Sequence, residues 1–258
     1  MSSTQAGLSR PSCGPALPTL PGLRAGGFAG LRVVGDVHGD SAAFAAAIAG
    51  AAEARLFVLQ LGDLTDYGPD APGALRLAFA LLDSGAGRFL LGNHDHKLRR
   101  ALTGARVRSP HDAIPRTLDQ LAAVPDGEAL AARMIAEVAR APAWLRLGPW
   151  IFVHAAFHRA MLLTAPDPDA GARRPDPLTS RAMFGQVTGN MGQDGYPERL
   201  IGWVDSIPAG ITAHCGHDVR SRDGRPLRVA GRAGGEALFL DTGAGKGGHL
   251  SWIDLPLP

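Results

Sequence analysis

The chain has 258 residues, 45% of them apolar, enough for one large α/β domain with a substantial core. A formal charge of +2 excludes generic electrostatic attraction to polyanions and leaves any such preference to local clusters. Two cysteines in unlike contexts, Cys13 and Cys215, argue against a disulfide framework and fit a reducing cytoplasm. No apolar run approaches the ~20 residues that span a bilayer.

Residues 1–27, rich in Ser, Pro and Gly, are expected to form a disordered leader without secretory-signal features, and residues 28–258 a single domain. The first strand, through Val33-Val34, runs into Gly35-Asp36-Val37-His38-Gly39-Asp40. Side chains alternate along a strand, so Asp36 and His38 emerge on the same side. An oxygen and an imidazole there suit a divalent metal, although a plain strand-to-helix turn with a capping Asp has the same look. Ser41–Ala52 has helical spacing, with Asp40 or Ser41 as its cap.

Leu56–Leu61 is a near-continuous apolar strand that ends at Gly62-Asp63-Leu64-Thr65-Asp66-Tyr67. A helix over 72–83 leads to a third strand at 88–91 and then Gly92-Asn93-His94-Asp95-His96-Lys97. Three strands thus end in three glycine-polar loops about thirty residues apart, one strand-helix unit per step. In open α/β sheets such loops converge on a ligand. Residues 111–141 read as mainly helical. Trp150–Val153 is a strand ending at His154, and 155–197 is an irregular segment expected to act as a lid or substrate-binding insertion. A strand near 211–215 leads to His217, and strands at 227–230, 237–240 and 249–255 close the chain, with Asp241-Thr242-Gly243 as a turn. The pattern predicts an α/β domain of two packed sheets flanked by helices.

Asp36-x-His38, Gly62-Asp63, Gly92-Asn93-His94-Asp95, His154 and Gly216-His217, in that order, resemble the calcineurin-like metallophosphoesterase superfamily. The resemblance covers most of residues 31–220 and implies a four-layer αββα sandwich of two mixed sheets. It also implies two divalent metal ions, with Mn first and Fe, Zn, Co or Ni as alternatives. Asp63 would bridge them, Asp36 and His38 would hold the first, and Asn93, His154 and His217 the second. A hydroxide between the ions would attack phosphorus, and His94, paired with Asp66, would protonate the leaving oxygen. Val219 stands where phosphodiesterases of the superfamily carry a second histidine. This departure resembles the serine/threonine phosphatase branch and leaves the first ion the more labile.

Tyr67 and Leu91 occupy the places of that branch's two phosphate-clamping arginines, so protein substrates are in doubt. A Tyr hydroxyl offers one hydrogen bond where a guanidinium offers a bidentate pair. Replacements for the clamp are expected from Tyr67, Asn93, Lys97, Arg99 and Arg181, with Arg100, Arg106, Arg108, Arg116, Arg173 and Arg174 also near. The segments 92–102, 117–121, 195–203 and 241–250 are similar to bacterial polynucleotide kinase-phosphatase modules, and the last also to dinucleoside polyphosphate hydrolases. The sequence therefore predicts a phosphomonoesterase acting on a phosphorylated small molecule, nucleotide, phosphoprotein or nucleic-acid end. A nucleotide phosphodiesterase or dinucleoside polyphosphate hydrolase is the alternative, and a non-catalytic scaffold the least favoured reading.

Overall fold

The computed structural model describes residues 17–108, 112–192 and 197–258. Most of the leader lies outside these, but Leu20–Ala25 within it forms helix α1, capped by the Thr19 hydroxyl and burying Leu23. Ordered chain thus begins before residue 28, because one buried leucine and a capping threonine suffice to dock a short helix.

Strands β1 (Gly30–Val34), β2 (Leu56–Gln60) and β3 (Gly87–Phe89) run parallel. They are joined by α2 (Ser41–Glu53) and α3 (Ala71–Ser84). Both helices start on an aspartate cap: Asp40 accepts from the amide of Ala43 at 3.1 Å, and Asp70 from that of Gly73 at 2.8 Å. The last strand, β11 (Trp252–Pro256), returns to pair antiparallel with β1 and gives the order β11-β1-β2-β3.

A second, mixed sheet has the order β4-β5-β8-β10-β9. Its members are β4 (Trp144–Leu147), β5 (Trp150–Val153), β8 (Thr212–Cys215), β9 (Leu227–Ala230) and β10 (Glu236–Phe239). The sequence pattern overlooks β4, which follows directly on the helical stretch 111–141. Helices α4 (Asn93–Leu102), α5 (Ala113–Ala122) and α6 (Gly127–Arg140) pack together, α5 and α6 also against α3, and two turns of helix fall within the expected irregular region as α7 (Pro177–Phe184). That region also holds an exposed hairpin of β6 (Val187–Met191) and β7 (Pro197–Arg199), so it is more structured than its composition suggests.

Period-two alternation sorts the core. Leu31, Val33, Phe57, Leu59 and Leu61 of the first sheet meet Leu145, Leu147, Phe152, Leu238 and Leu240 of the second in one apolar cluster. The alternate residues, among them Val34, Val58, Ile151, Val153, Ala213 and Phe239, belong to the larger cluster with the helices. The result is a mixed α/β fold of two sheets flanked by helices. Its geometry has one functional consequence. The carboxyl ends of β1 and β2, and of β5, β8 and β10, lead to Asp36, Asp63, His154, His217 and Asp241 on one edge of the sandwich.

Candidate metal centre and phosphate-binding cavity

Eight of the predicted residues converge there, none more than 9% exposed: Asp36, His38, Asp63, Asp66, Asn93, His94, His154 and His217. His38 Nδ1 donates to the Thr65 carbonyl at 2.9 Å, which turns Nε2 inward, 3.7 Å from Asp36 Oδ2 and 3.9 Å from Asp63 Oδ2. His154 is oriented alike, with Nδ1 donating to the Leu61 carbonyl at 2.9 Å. Its Nε2 lies 3.0 Å from Asn93 Oδ1 and 3.4 Å from Asp63 Oδ2. Backbone carbonyls that fix the tautomer of inward-facing imidazoles are a recurrent support of metal ligands.

Ligating atoms of Asp36, His38 and Asp63 lie within 4.8 Å of one another, and so do those of Asp63, His154 and His217. Asp63 belongs to both groups. The structure tests the fit to cations in two ways. His38 Nε2 and Asp241 Oδ2 are buried with no hydrogen-bond partner. Burial, and then the charge of Asp241, hold the Asp36 carboxyl well above the usual carboxylate range. Burial would lower His154, yet Asp63 and Asp36 raise it to about 9. A field that holds a proton there is one that a cation can satisfy. Oxygen and imidazole donors together suit Mn, Fe, Zn, Co or Ni.

Glycines of the motif blocks have steric causes. A Cβ on Gly216 would fall 2.0 Å from Asp36 Oδ1, and that carboxylate accepts the His217 amide at 3.0 Å. A Cβ on Gly92 would meet the Asp63 amide nitrogen at 2.3 Å. Among the described residues, His38, Asp63, Asp66, Tyr67 and His217 account for five of the seven non-glycine residues at positive φ. Backbone strain of this kind persists where surrounding contacts over-determine it, and it clusters at functional sites.

His94 stands at the start of α4, where its amide donates to Asp63 Oδ1 at 2.8 Å and its Nδ1 pairs with Asp66 Oδ2. Thr117 of α5 donates to the other Asp66 oxygen at 2.7 Å and so fixes the dyad. The rings of His38, Tyr67 and His94 contact one another with centroids 5.0–5.2 Å apart. Asp95, which the sequence pattern leaves without a role, clamps two loops. Its carboxylate accepts the amides of Asp63 at 2.7 Å, Leu64 at 3.0 Å and Gly92 at 3.1 Å, and burial raises it to about 6.

Residues 31–153 match the model of the calcineurin-like phosphoesterase family. Over that stretch, just under half of its length, the chain is similar to calcineurin-like phosphoesterases. It is 26% identical over 200 residues to a bis(5'-nucleosyl)-tetraphosphatase PrpE [asymmetrical] of Geobacillus sp. (strain WCH70), covering 76% of this chain and 74% of that one. A symmetrical bis(5'-nucleosyl)-tetraphosphatase of Ralstonia nicotianae is 40% identical over 70 residues, 27% of this chain and 23% of that one. Among solved structures, a putative diadenosine tetraphosphatase aligns with a TM-score of 0.53 at 21% identity, over 88% of this chain and 94% of that one.

Beside the candidate centre lies a cavity of about 820 Å³. Its lining includes Tyr67 and His217, with Arg116, Arg199, Arg220, Arg222 and Lys246 against two acids, Glu198 and Asp218. Tyr67 and Arg116 thus both line the cavity. Lys97 is half-buried on α4; burial lowers its ammonium, while Asp63 and Asp66 oppose that. Arg99 and Arg181 are not where the sequence puts them. Arg99 donates to the Ile135 carbonyl on α6 at 3.2 Å, and Arg181 to Gln186 Oε1 at 3.0 Å, so neither lines the cavity. Arg173 is spent on Asp167 and Asp169. Arg199, Arg220, Arg222 and Lys246 are not singled out by the sequence as phosphate ligands, and only the fold reveals that they share a wall.

His214 stacks on Phe152 within the sheets, ring centroids 5.0 Å apart, and burial lowers it to about 4. It is a core histidine. Cys215 is buried, and burial raises its thiol well above the ordinary range, which suits packing rather than nucleophilic chemistry. No helix among the described residues is long and apolar enough to cross a membrane.

Proposed function

We propose that this chain is a metal-dependent hydrolase of nucleoside polyphosphates, with a dinucleoside polyphosphate as its substrate class. The observation that carries the reading is the cavity wall, where five basic side chains outnumber two acidic ones beside buried ligand groups. One phosphomonoester needs one clamp, whereas a polyphosphate chain presents charge over a longer stretch. The relatives named as bis(5'-nucleosyl)-tetraphosphatases support the same substrate class.

Asp36, His38 and Asp63 would hold one divalent ion, and Asp63, Asn93, His154 and His217 a second. When bound, such ions lower the pKa of water to about 7 and neutralise charge on phosphoryl oxygens. The chain's own residues do the rest. Asp63 offers charge to both positions while the amide of His94 fixes its second oxygen. His94 delivers a proton to the leaving oxygen, and Asp66, held by Thr117, keeps its imidazole oriented. The basic wall binds the phosphates that do not react.

The test is to strip the protein with chelator, reload it with Mn²⁺, and compare diadenosine tetraphosphate, p-nitrophenyl phosphate, bis-p-nitrophenyl phosphate and a phosphopeptide. The dinucleotide is expected to give the highest kcat/KM, with no turnover before reloading. A phosphopeptide or simple monoester as the best substrate would return the reading to the phosphomonoesterase expected from the sequence.

A further inference from the structure

The two clamp arginines that the sequence pattern replaces by Tyr67 and Leu91 leave a charge to be supplied. Leu91 is fully buried in the core and does not line the cavity. Tyr67 lines the cavity, and the Lys246 ammonium lies 4.8 Å from its ring centroid. Lys246 lies in the loop that leads from β10 of the second sheet to β11 of the first. Two features hold that loop in place. Gly245, at φ +69°, packs so closely that a Cβ would fall 2.6 Å from the His38 carbonyl oxygen and 3.1 Å from the Gly68 amide nitrogen. Arg222 donates to the Lys246 carbonyl at 3.0 Å, and the Lys246 amide donates to the Gly243 carbonyl at 3.0 Å.

The backbone of Lys246 is therefore fixed, while its head group is free. Arg199 and Arg220 pair with Asp218, and Arg116 donates to the Tyr67 carbonyl at 2.9 Å. Among the described residues, no carboxylate lies within ion-pair distance of the Lys246 ammonium. Its charge nevertheless reaches both halves of the centre, acting on Asp36, His38 and His217. A lysine to which the described residues offer an aromatic face and no carboxylate partner can turn its three donors to an incoming phosphate.

We infer that Lys246, seated on the Tyr67 ring, is the substrate-phosphate ligand that replaces the arginine missing from position 67. The inference deepens the proposed function and rests on it for the identity of the substrate. Charge has moved from the loop after β2 to the loop after β10, and Tyr67 has become the platform that aims it.

Lys246→Met, Lys246→Arg and the double variant Tyr67→Arg/Lys246→Met test this by two readouts. Binding of inorganic phosphate to Mn²⁺-loaded protein is measured by calorimetry, and KM and kcat with diadenosine tetraphosphate by steady-state kinetics. Lys246→Met is expected to weaken phosphate and raise KM by about 10- to 100-fold, the loss of one charged hydrogen-bonding group. Metal content should stay unchanged. Lys246→Arg should recover part of the loss, and so should Tyr67→Arg in the methionine background. Unchanged phosphate affinity and KM in Lys246→Met would overturn the inference. So would a matching loss of bound metal, or failure of both arginine variants to restore binding. A wild-type protein that binds phosphate through Lys246 yet hydrolyses no nucleotide would instead overturn the substrate assignment and leave Lys246 in place.

Discussion

The centre and the wall of one cavity are built in opposite ways. Centre residues are buried, backbone-strained and tied together across loops: Asp95 to three amides, Asp63 to His94, Asp66 to Thr117. Wall residues sit on an exposed hairpin and on surface loops, where charges such as Arg199 and Arg220 are compensated by a single aspartate. A rigid centre holds reacting groups in place at the cost of strain, whereas a loosely held wall can change its charges without disturbing the chemistry.

Substitutions in the two regions should therefore differ in kind. Asp63→Asn removes the carboxylate common to both ligand groups, so activity should fall to the chelated background and the metal content of the purified protein should drop with it. Retention of both in Asp63→Asn would break the distinction. His94→Ala should keep its metal and lose on the order of 10²–10⁴-fold in kcat, the usual contribution of a proton donor. The loss should shrink for p-nitrophenyl phosphate, whose leaving group needs little protonation. An equal loss on good and poor leaving groups would remove His94 from that role.

The same contrast explains what could be read from the sequence. Centre residues follow strand ends at fixed spacing and are forced beside glycines by close packing, as at Gly216 and Gly92, so Asp36, Asp63 and His217 leave a pattern. The two-sheet architecture was legible too, since buried strands such as Leu56–Gln60 are continuous apolar runs. The wall was not. Arg199 and Lys246 come from a hairpin and a glycine-rich loop far apart in the chain, and only their tertiary placement brings them together. Arg99 was drawn in by following the third loop closely and Arg181 by lying in the irregular segment, but helix geometry turns Arg99 toward α6 and Arg181 bonds Gln186. Asp95 sat inside a recognised block with its work hidden, because its partners are backbone amides. Asp95→Asn cannot accept all three amides and should lower stability by about 1–3 kcal/mol, the cost of a buried donor left unpaired. The urea midpoint reads this, and an unchanged midpoint would show that the clamp contributes nothing.

The smallest effects should come from the wall. Asp218 pairs with Arg199 at 3.5 Å and also with Arg220, so it withholds two charges that would otherwise meet a polyanion. Arg199→Ala should raise KM for diadenosine tetraphosphate, and Asp218→Asn should lower it, each by about twofold to fivefold, because partly exposed pairs are worth little. Both changes should leave kcat alone and fade at high ionic strength, since solvent-screened charges lose their reach within about 10 Å at 0.1 M salt. His217 separates the wall from the centre here, for the Arg199 charge acts on it as well. If Arg199→Ala lowers kcat at constant KM, Arg199 works through His217 and belongs to the centre. If only KM moves, and moves with salt, the boundary between the two regions runs between His217 and Arg199.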